Sequence, residues 1–299
     1  MLDRYFFNFP SNQVRLYSII ISIFALINVI ILLPDFLDLY GEYAYISPSI
    51  NSQFIENFHP TFYNFTTIGT FIGVSANIII LSLLSIYFLS LIFVLWNYQK
   101  FIFSIVALFI HVIMVNTSYF FSYGADYFIT FSLFLNIFFC FSHKKYAPSV
   151  HSFGLRLAQI QLCIVYFFAG FGKLLGTDWF DGNAVWYIMR NYSSDYINNN
   201  IFKNTHLFLL LSVVTVFIEF FYFTFINIKY TRKMTFYAIV LLHINIALFM
   251  KLYTFGLVMI LLNFIAWNTY LSLTLPKFLL HGLRINRHSL LDKTEENFK

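Results

Sequence analysis

Charge is what this chain has least of. Asp, Glu, Lys and Arg make up 10% of its 299 residues, against 60% hydrophobic side chains. A soluble domain needs a polar surface to face water, and this composition does not supply one. The scarcity also excludes a nucleic-acid-binding surface, because the formal net charge of +5 is spread through loops rather than gathered into a patch. Cysteine is almost missing. Cys140 and Cys163 both fall in apolar runs and read as small buried hydrophobes, which excludes a disulfide framework and a cysteine metal site. Asp178 and Asp181 have no histidine or third carboxylate at ligand spacing, so no metal site is expected there. A phosphate loop, a nucleophile elbow and a redox CxxC are absent as well. Arg4 and Arg15 precede an apolar run too long for the core of a cleavable signal peptide, and no small-residue cleavage site follows it.

What the chain has instead is long apolar runs, with a mean hydropathy of +0.74. The expected fold class is all-α: a polytopic membrane bundle of about eight transmembrane helices with both termini cytoplasmic. The expected spans are residues 14–33, 71–95, 101–121, 127–141, 157–175, 206–228, 235–250 and 255–275. They form one domain over residues 1–275, followed by a charged cytoplasmic tail, 276–299. The loop 34–64 carries Asp35, Asp38, Glu42 and Glu56 and no Lys or Arg. The loop 143–156 is basic and contains Pro148. The segment 176–205 is polar and Asn-rich, with helical character over 184–190.

The basic residues give the orientation. With the N-terminus in the cytoplasm, 14 Lys and Arg residues fall on inner segments and only Arg190, Lys203 and Lys251 on outer ones, with Lys173 left in the membrane. That is the bias the positive-inside rule expects for eight spans. The fifth span then runs outward, and Lys173 lies near the outer interface.

Lys173 is the most costly residue in the chain. An ammonium near hydrocarbon is expensive, so an intramembrane Lys is a functional candidate by default, with snorkelling to the interface as the plain alternative. Two more ionisable residues stand within spans. Glu219 and His243 are each about nine residues, or roughly 14 Å, from the cytoplasmic ends of the sixth and seventh spans. Equal depth makes a Glu219–His243 hydrogen bond feasible, either as a proton relay or as a polar pair that fixes helix packing. His111 reads as a packed core histidine. Asp126 reads either as a partner for a base or as an N-cap for the fourth span. Asp178 is placed either to cap the helix after it or to neutralise Lys173, and Trp179 suits a membrane interface.

The run Tyr166-Phe167-Phe168-Ala169-Gly170-Phe171-Gly172-Lys173-Leu174, followed by Asp178-Trp179, Gly182 and Ala184, resembles the core motif of the vitamin K-dependent gamma-carboxylase superfamily. That superfamily includes the bacterial HTTM domains and the sporulation-delaying protein B family, which matures peptide toxins. The resemblance covers this stretch well and the rest of the chain weakly, and it points to the stand-alone bacterial type. It implies that Lys173 is the base that deprotonates a vitamin K hydroquinone-like quinol, with His243 and Glu219 as further catalytic candidates. It implies a cofactor site at Asn116, Tyr119, Asp126, Tyr166 and Trp179. Asn116 matches the polar turn where the carboxylase has an Asn and a His; here Tyr119 is the nearest residue to the position of that His. The implied enzyme sits in a bacterial cytoplasmic membrane with its active face extracytoplasmic. The implied partners are membrane lipid, a secreted peptide substrate and a small partner protein, with no nucleic acid. The alternative is a non-catalytic quinone-binding or assembly subunit of a membrane complex.

The charge bias yields a topology test. A cysteine placed at Ser149 should be labelled only after access to the cytoplasm, and one at Asn199 from outside intact cells. Labelling of both from the same side would sink the eight-span arrangement.

Overall fold

The computed structural model describes residues 11–55, 59–71, 73–193 and 200–271. Among them all regular structure is helical. The helices are α1 (Ser11–Leu32), α2 (Phe36–Tyr40), α3 (Pro48–Asn51), α4 (Phe62–Phe71), α5 (Ala76–Leu95), α6 (Lys100–Thr117), α7 (Gly124–Cys140), α8 (Ala147–Leu174), α9 (Asn183–Ser193), α10 (Thr205–Phe220), α11 (Tyr222–Asn227), α12 (Arg232–Phe249) and α13 (Tyr253–Leu271). The tail 276–299 and position 199 lie outside the described residues.

Among the described residues six helices are long and apolar enough to cross a membrane: the run Gln13–Tyr40, which takes in most of α1 and all of α2, and then α5, α6, α8, α12 and α13. Two shorter apolar helices, α7 and α10, accompany them. Hydrocarbon offers no partner for backbone N–H and C=O groups, so a spanning segment made of such residues satisfies its own backbone as a helix. The surface agrees with that reading. Ile31, Phe168, Leu241 and Leu248 are exposed, whereas Tyr17, Tyr87, Tyr166 and Tyr222 are fully buried. The bundle thus turns apolar side chains outward and keeps hydroxyls, amides and imidazoles within.

Three boundaries differ from the sequence reading, each for a local reason. Helix α8 begins at Ala147 rather than at residue 157, because Pro148 falls in its first turn, where a missing N–H costs nothing. The second apolar run, 71–95, is split between the end of α4 and α5, with Gly73 at a φ of +74° between them. The run 206–228 is interrupted at Phe221 (φ −91°, ψ 4°), so that α10 and the short α11 follow one another. Caps hold other ends. Asn204 accepts the Leu207 N–H at 3.1 Å to start α10, and Asp126 accepts the Tyr123 N–H at 2.9 Å to start α7. Asp126 is therefore the N3 member of a capping box whose N-cap is Tyr123, rather than the N-cap itself.

Helix α8 is the centre of the half of the bundle that holds Lys173, Glu219 and His243. It packs against α7, α10, α11 and α13, while α12 packs against α13. The close approach of α8 and α10 depends on Gly170. A Cβ there would lie 2.4 Å from the Phe220 nitrogen and 2.6 Å from its Cα. Small residues at a helix contact let backbones meet, and here they bring Lys173 and Glu219 level with each other. Gly256 does the same between α13 and α12, where a Cβ would be 2.6 Å from the His243 carbonyl oxygen.

Gly170→Ala should therefore lower thermal stability in detergent by about 1–3 kcal/mol, the usual cost of forcing atoms into a packed contact. Gly172→Ala is the matched control: a Cβ at Gly172 meets nothing within 4 Å, and the substitution should leave the melting temperature unchanged or raise it slightly. Equal melting behaviour of the two variants would refute the close-contact role of Gly170.

Candidate functional site

The site is built where the last turn of α8 meets the end of α10. The Lys173 ammonium donates to Glu219 Oε2 at 2.5 Å. It also reaches back to the Ala169 carbonyl at 3.5 Å, and it lies 5.2 Å from the centre of the Trp179 ring. Trp179 belongs to the short turn Thr177–Trp179 that follows α8, so chain connectivity alone places it over the ammonium. The Lys173 side chain is 22% exposed and that of Glu219 7%. Phe168, Phe171 and Leu175, near the same end of α8, are exposed. An isolated ammonium or carboxylate among such residues would be untenable, and together they form a neutral unit. The carboxylate beside Lys173 is thus Glu219 rather than Asp178, which is exposed.

Glu219 is 14 residue steps from Thr205, the first residue of α10, which is roughly 21 Å along a helix. At the Thr205 end, Gly182 packs on Leu209: a Cβ on Gly182 would be 2.5 Å from the Leu209 nitrogen, and its φ of +78° suits glycine. Helix α9 sits at that level, tied by Trp186 Nε1 donating to the Phe202 carbonyl at 3.0 Å.

Behind the ion pair runs a buried hydrogen-bonded chain from α13 through α11 and α8 to α12. Trp267 Nε1 donates to Tyr222 Oη at 2.8 Å, Tyr222 donates to Asn263 Oδ1 at 2.7 Å, and Asn263 Nδ2 donates to Tyr166 Oη at 2.8 Å. Tyr166 Oη then meets His243 Nε2 at 2.7 Å. The direction of this chain is determined at both ends of the amide. Indole N–H only donates, and the Met259 carbonyl, which receives the other Asn263 Nδ2 hydrogen at 2.9 Å, only accepts. Tyr166 therefore spends its own hydrogen on His243 Nε2. The imidazole is neutral, with its proton on Nδ1. If His243 carried a proton on Nε2, the Tyr166 oxygen would receive two donors and its own hydrogen would have no acceptor.

His243 and Glu219 do not form the hydrogen bond that their equal depth made feasible. Glu219 is taken by Lys173, and His243 by Tyr166. The two pairs still sense one another electrostatically, Lys173 acting on His243 and Glu219 on Tyr166. The structure therefore brings together Lys173, Glu219 and Trp179, and beside them Tyr166 and His243. The other three expected residues lie elsewhere. Asn116 Nδ2 donates to the Pro60 carbonyl at 3.0 Å, Tyr119 is exposed with its ring edge-on to Phe120, and Asp126 caps α7. One ring links the two regions: Phe255 packs against Gly124 and Phe128 at the start of α7 and lies 5.8 Å from the His243 ring. Tyr222, Asn263 and Trp267 were not expected from the sequence. Their only signal was a polar group in an otherwise apolar run, which dozens of positions share. Among the described residues no group of His, Cys, Asp or Glu could hold a metal ion, and Cys140 and Cys163 are free.

Compared with protein-family models, curated proteins and solved structures, the chain matches none.

The paired geometry makes a thermodynamic prediction. Lys173→Met and Glu219→Gln each strand or remove one member of a buried pair, and each should destabilise the protein by on the order of 3 kcal/mol. The double variant should lose less than the sum, with a coupling of about 0.5–3 kcal/mol. Thermal unfolding of the four proteins in one detergent measures this; strictly additive losses would show that the two groups do not interact.

Proposed function

We propose that this chain is an integral membrane enzyme of the gamma-carboxylase type, which modifies or matures an exported peptide with a lipid quinol as cofactor and Lys173 as the base. The observation that carries this reading is the contact of Lys173 with Glu219 beneath the Trp179 ring, among apolar helices. Passing one proton from the ammonium to the carboxylate gives an amine and a carboxylic acid with no change in net charge. Such a pair holds its proton in one state and offers a free amine in the other, inside a region that rejects lone charges. The residues present fit a quinol: an acceptor for a phenolic proton and the flat ring of Trp179 beside it. When bound, a quinol supplies two electrons and an acidic hydroxyl. Trp179 would hold the ring, and Lys173 would take the hydroxyl proton, with Glu219 keeping the balance of charge.

In this reading α7 and α10 complete an eight-span bundle in a bacterial cytoplasmic membrane. Both termini are cytoplasmic and the 176–204 segment faces outward, toward a secreted peptide and any small partner protein. The distribution of Lys and Arg supports that orientation. The lipid-soluble cofactor arrives laterally from the bilayer, the peptide from the outer face.

The same pair favours a second reading. Lys173 closed on Glu219 is also a clamp between α8 and α10, which would suit a non-catalytic quinone-binding or assembly subunit. Lys173→Arg separates the two. Guanidinium can keep the salt bridge to Glu219 yet stays protonated at any working pH. If Lys173 is the base, the Arg variant should lose product by about 100-fold or more, with membrane yield near wild type. The Lys173→Met/Glu219→Gln double variant, which leaves no lone charge, should be equally inactive. Product is read by mass spectrometry of exported peptides, beside a blot of membrane yield. Full activity of Lys173→Arg would assign the pair to the clamp.

A further inference from the structure

We propose that His243 Nδ1–H is a hydrogen-bond donor to an oxygen of a bound ligand, its tautomer locked for that purpose by the chain Trp267–Tyr222–Asn263–Tyr166. His243 is 2% exposed, and its Nδ1 finds no hydrogen-bond partner among the described residues. A buried donor left without an acceptor costs about 1–3 kcal/mol. Every other polar atom along this chain is satisfied, with four hydrogen bonds of 2.7–2.8 Å from Trp267 to His243. An arrangement concerned only with packing could have ended the chain on a group that accepts the Tyr166 hydrogen and carries no further donor. Instead the chain specifies which imidazole nitrogen carries the proton, and leaves that one unused.

Three observations indicate what would accept it. The free group is an N–H on a neutral ring, so it suits a carbonyl or phenolic oxygen better than a cation. The charge of Lys173 acts on it, which favours an oxygen that gains negative charge there. Its neighbours are aromatic: Tyr166 on one side and Phe255, 5.8 Å away, on another. These favour a flat ring bearing an oxygen over a sugar or a phosphate. The ligand class is therefore an aromatic ring with a carbonyl or hydroxyl oxygen, a naphthoquinone or its quinol. This deepens the proposed function and rests on it only for the choice of probe. His243 acts by touching the ligand, while Tyr166, Asn263, Tyr222 and Trp267 are positioning residues.

The test uses the full chain in phospholipid nanodiscs with 15N-labelled histidine, the His243 resonances being assigned by loss in His243→Gln. Without ligand, the spectrum should show His243 protonated at Nδ1 and unprotonated at Nε2. Tyr166→Phe should release the lock and give a mixture of tautomers while the protein still melts cooperatively. Menadione, a naphthoquinone, should shift the Nδ1 signal saturably. His243→Phe should weaken menadione binding, read by quenching of tryptophan fluorescence, about tenfold, as expected for one hydrogen bond. Should that variant fail to fold, Tyr166→Phe should still show a measurable weakening. A proton on Nε2, or an Nδ1 signal unmoved at saturating menadione, would overturn the proposal. Lys173→Arg keeps the two failures apart. It should give no peptide product yet retain the menadione-induced shift of Nδ1. A protein that makes product but shows no such shift would refute the His243 role alone. A shift without any product from the wild type would uphold the donor while removing the peptide-modifying reading.

Discussion

The ion pair between Lys173 and Glu219 is the constraint to which the rest of this half of the bundle answers. An ammonium at the end of an apolar helix needs a counter-charge, and the nearest acids in sequence are on an exposed turn. The fold supplies one from another helix, 46 residues away in the chain. For the two groups to meet, the backbones of α8 and α10 must come closer than a side chain at 170 would allow, and glycine stands there. The neighbouring Phe220 and Phe221 then turn out of register, the helix is interrupted, and Tyr222 on α11 is delivered into the core rather than to the surface. One electrostatic requirement thus accounts for a glycine, a helix break and the placement of a buried hydroxyl.

That hydroxyl joins a polar interior that runs along α8. Ser152, Gln159, Tyr166 and Lys173 recur every seven residues, two helical turns, and so share a face. Gln159 donates to the Ala266 carbonyl at 2.7 Å, and Tyr166 enters the chain that ends at His243. In a membrane such groups gain nothing from water and must satisfy one another, which is why they gather on inward faces. The exposed faces carry Phe, Ile and Leu for the same reason. The division between them keeps the polar groups paired inside and the apolar side chains outward.

The region around Asn116, Tyr119 and Asp126 has contacts of its own. Asn116 and Thr117 at the end of α6 tie down the 60–62 segment, through the Pro60 carbonyl and the Phe62 N–H. Asp126 starts α7. A second Tyr–His pair, Tyr87 with His111 Nδ1 at 3.3 Å, lies between α5 and α6. His111 is buried, as its place in an apolar run suggests. These contacts organise the other half of the bundle, and Phe255 is where the two halves touch beside His243.

The sequence by itself determined the helical class, the apolar runs and the stretch that carries the intramembrane lysine, because those depend on composition and on residues close together in the chain. A run of hydrophobic residues long enough to cross a bilayer states its own conformation, and a lysine within it is conspicuous for its cost. The sequence could name Lys173, Glu219, His243 and Tyr166 as unusual, but it could not say which of them meet. Equal depth suggested Glu219 with His243, since depth along a helix is readable from residue number. Rotation about the helix axis and the approach of one helix to another are not. Those were decided only in the tertiary structure, where Gly170 sets the distance between α8 and α10, and where Asn263, Tyr222 and Trp267 determine the tautomer of His243. A hydrogen bond needs its atoms within about 3 Å, and across four helices that proximity is a property of packing, which no single stretch of the chain contains.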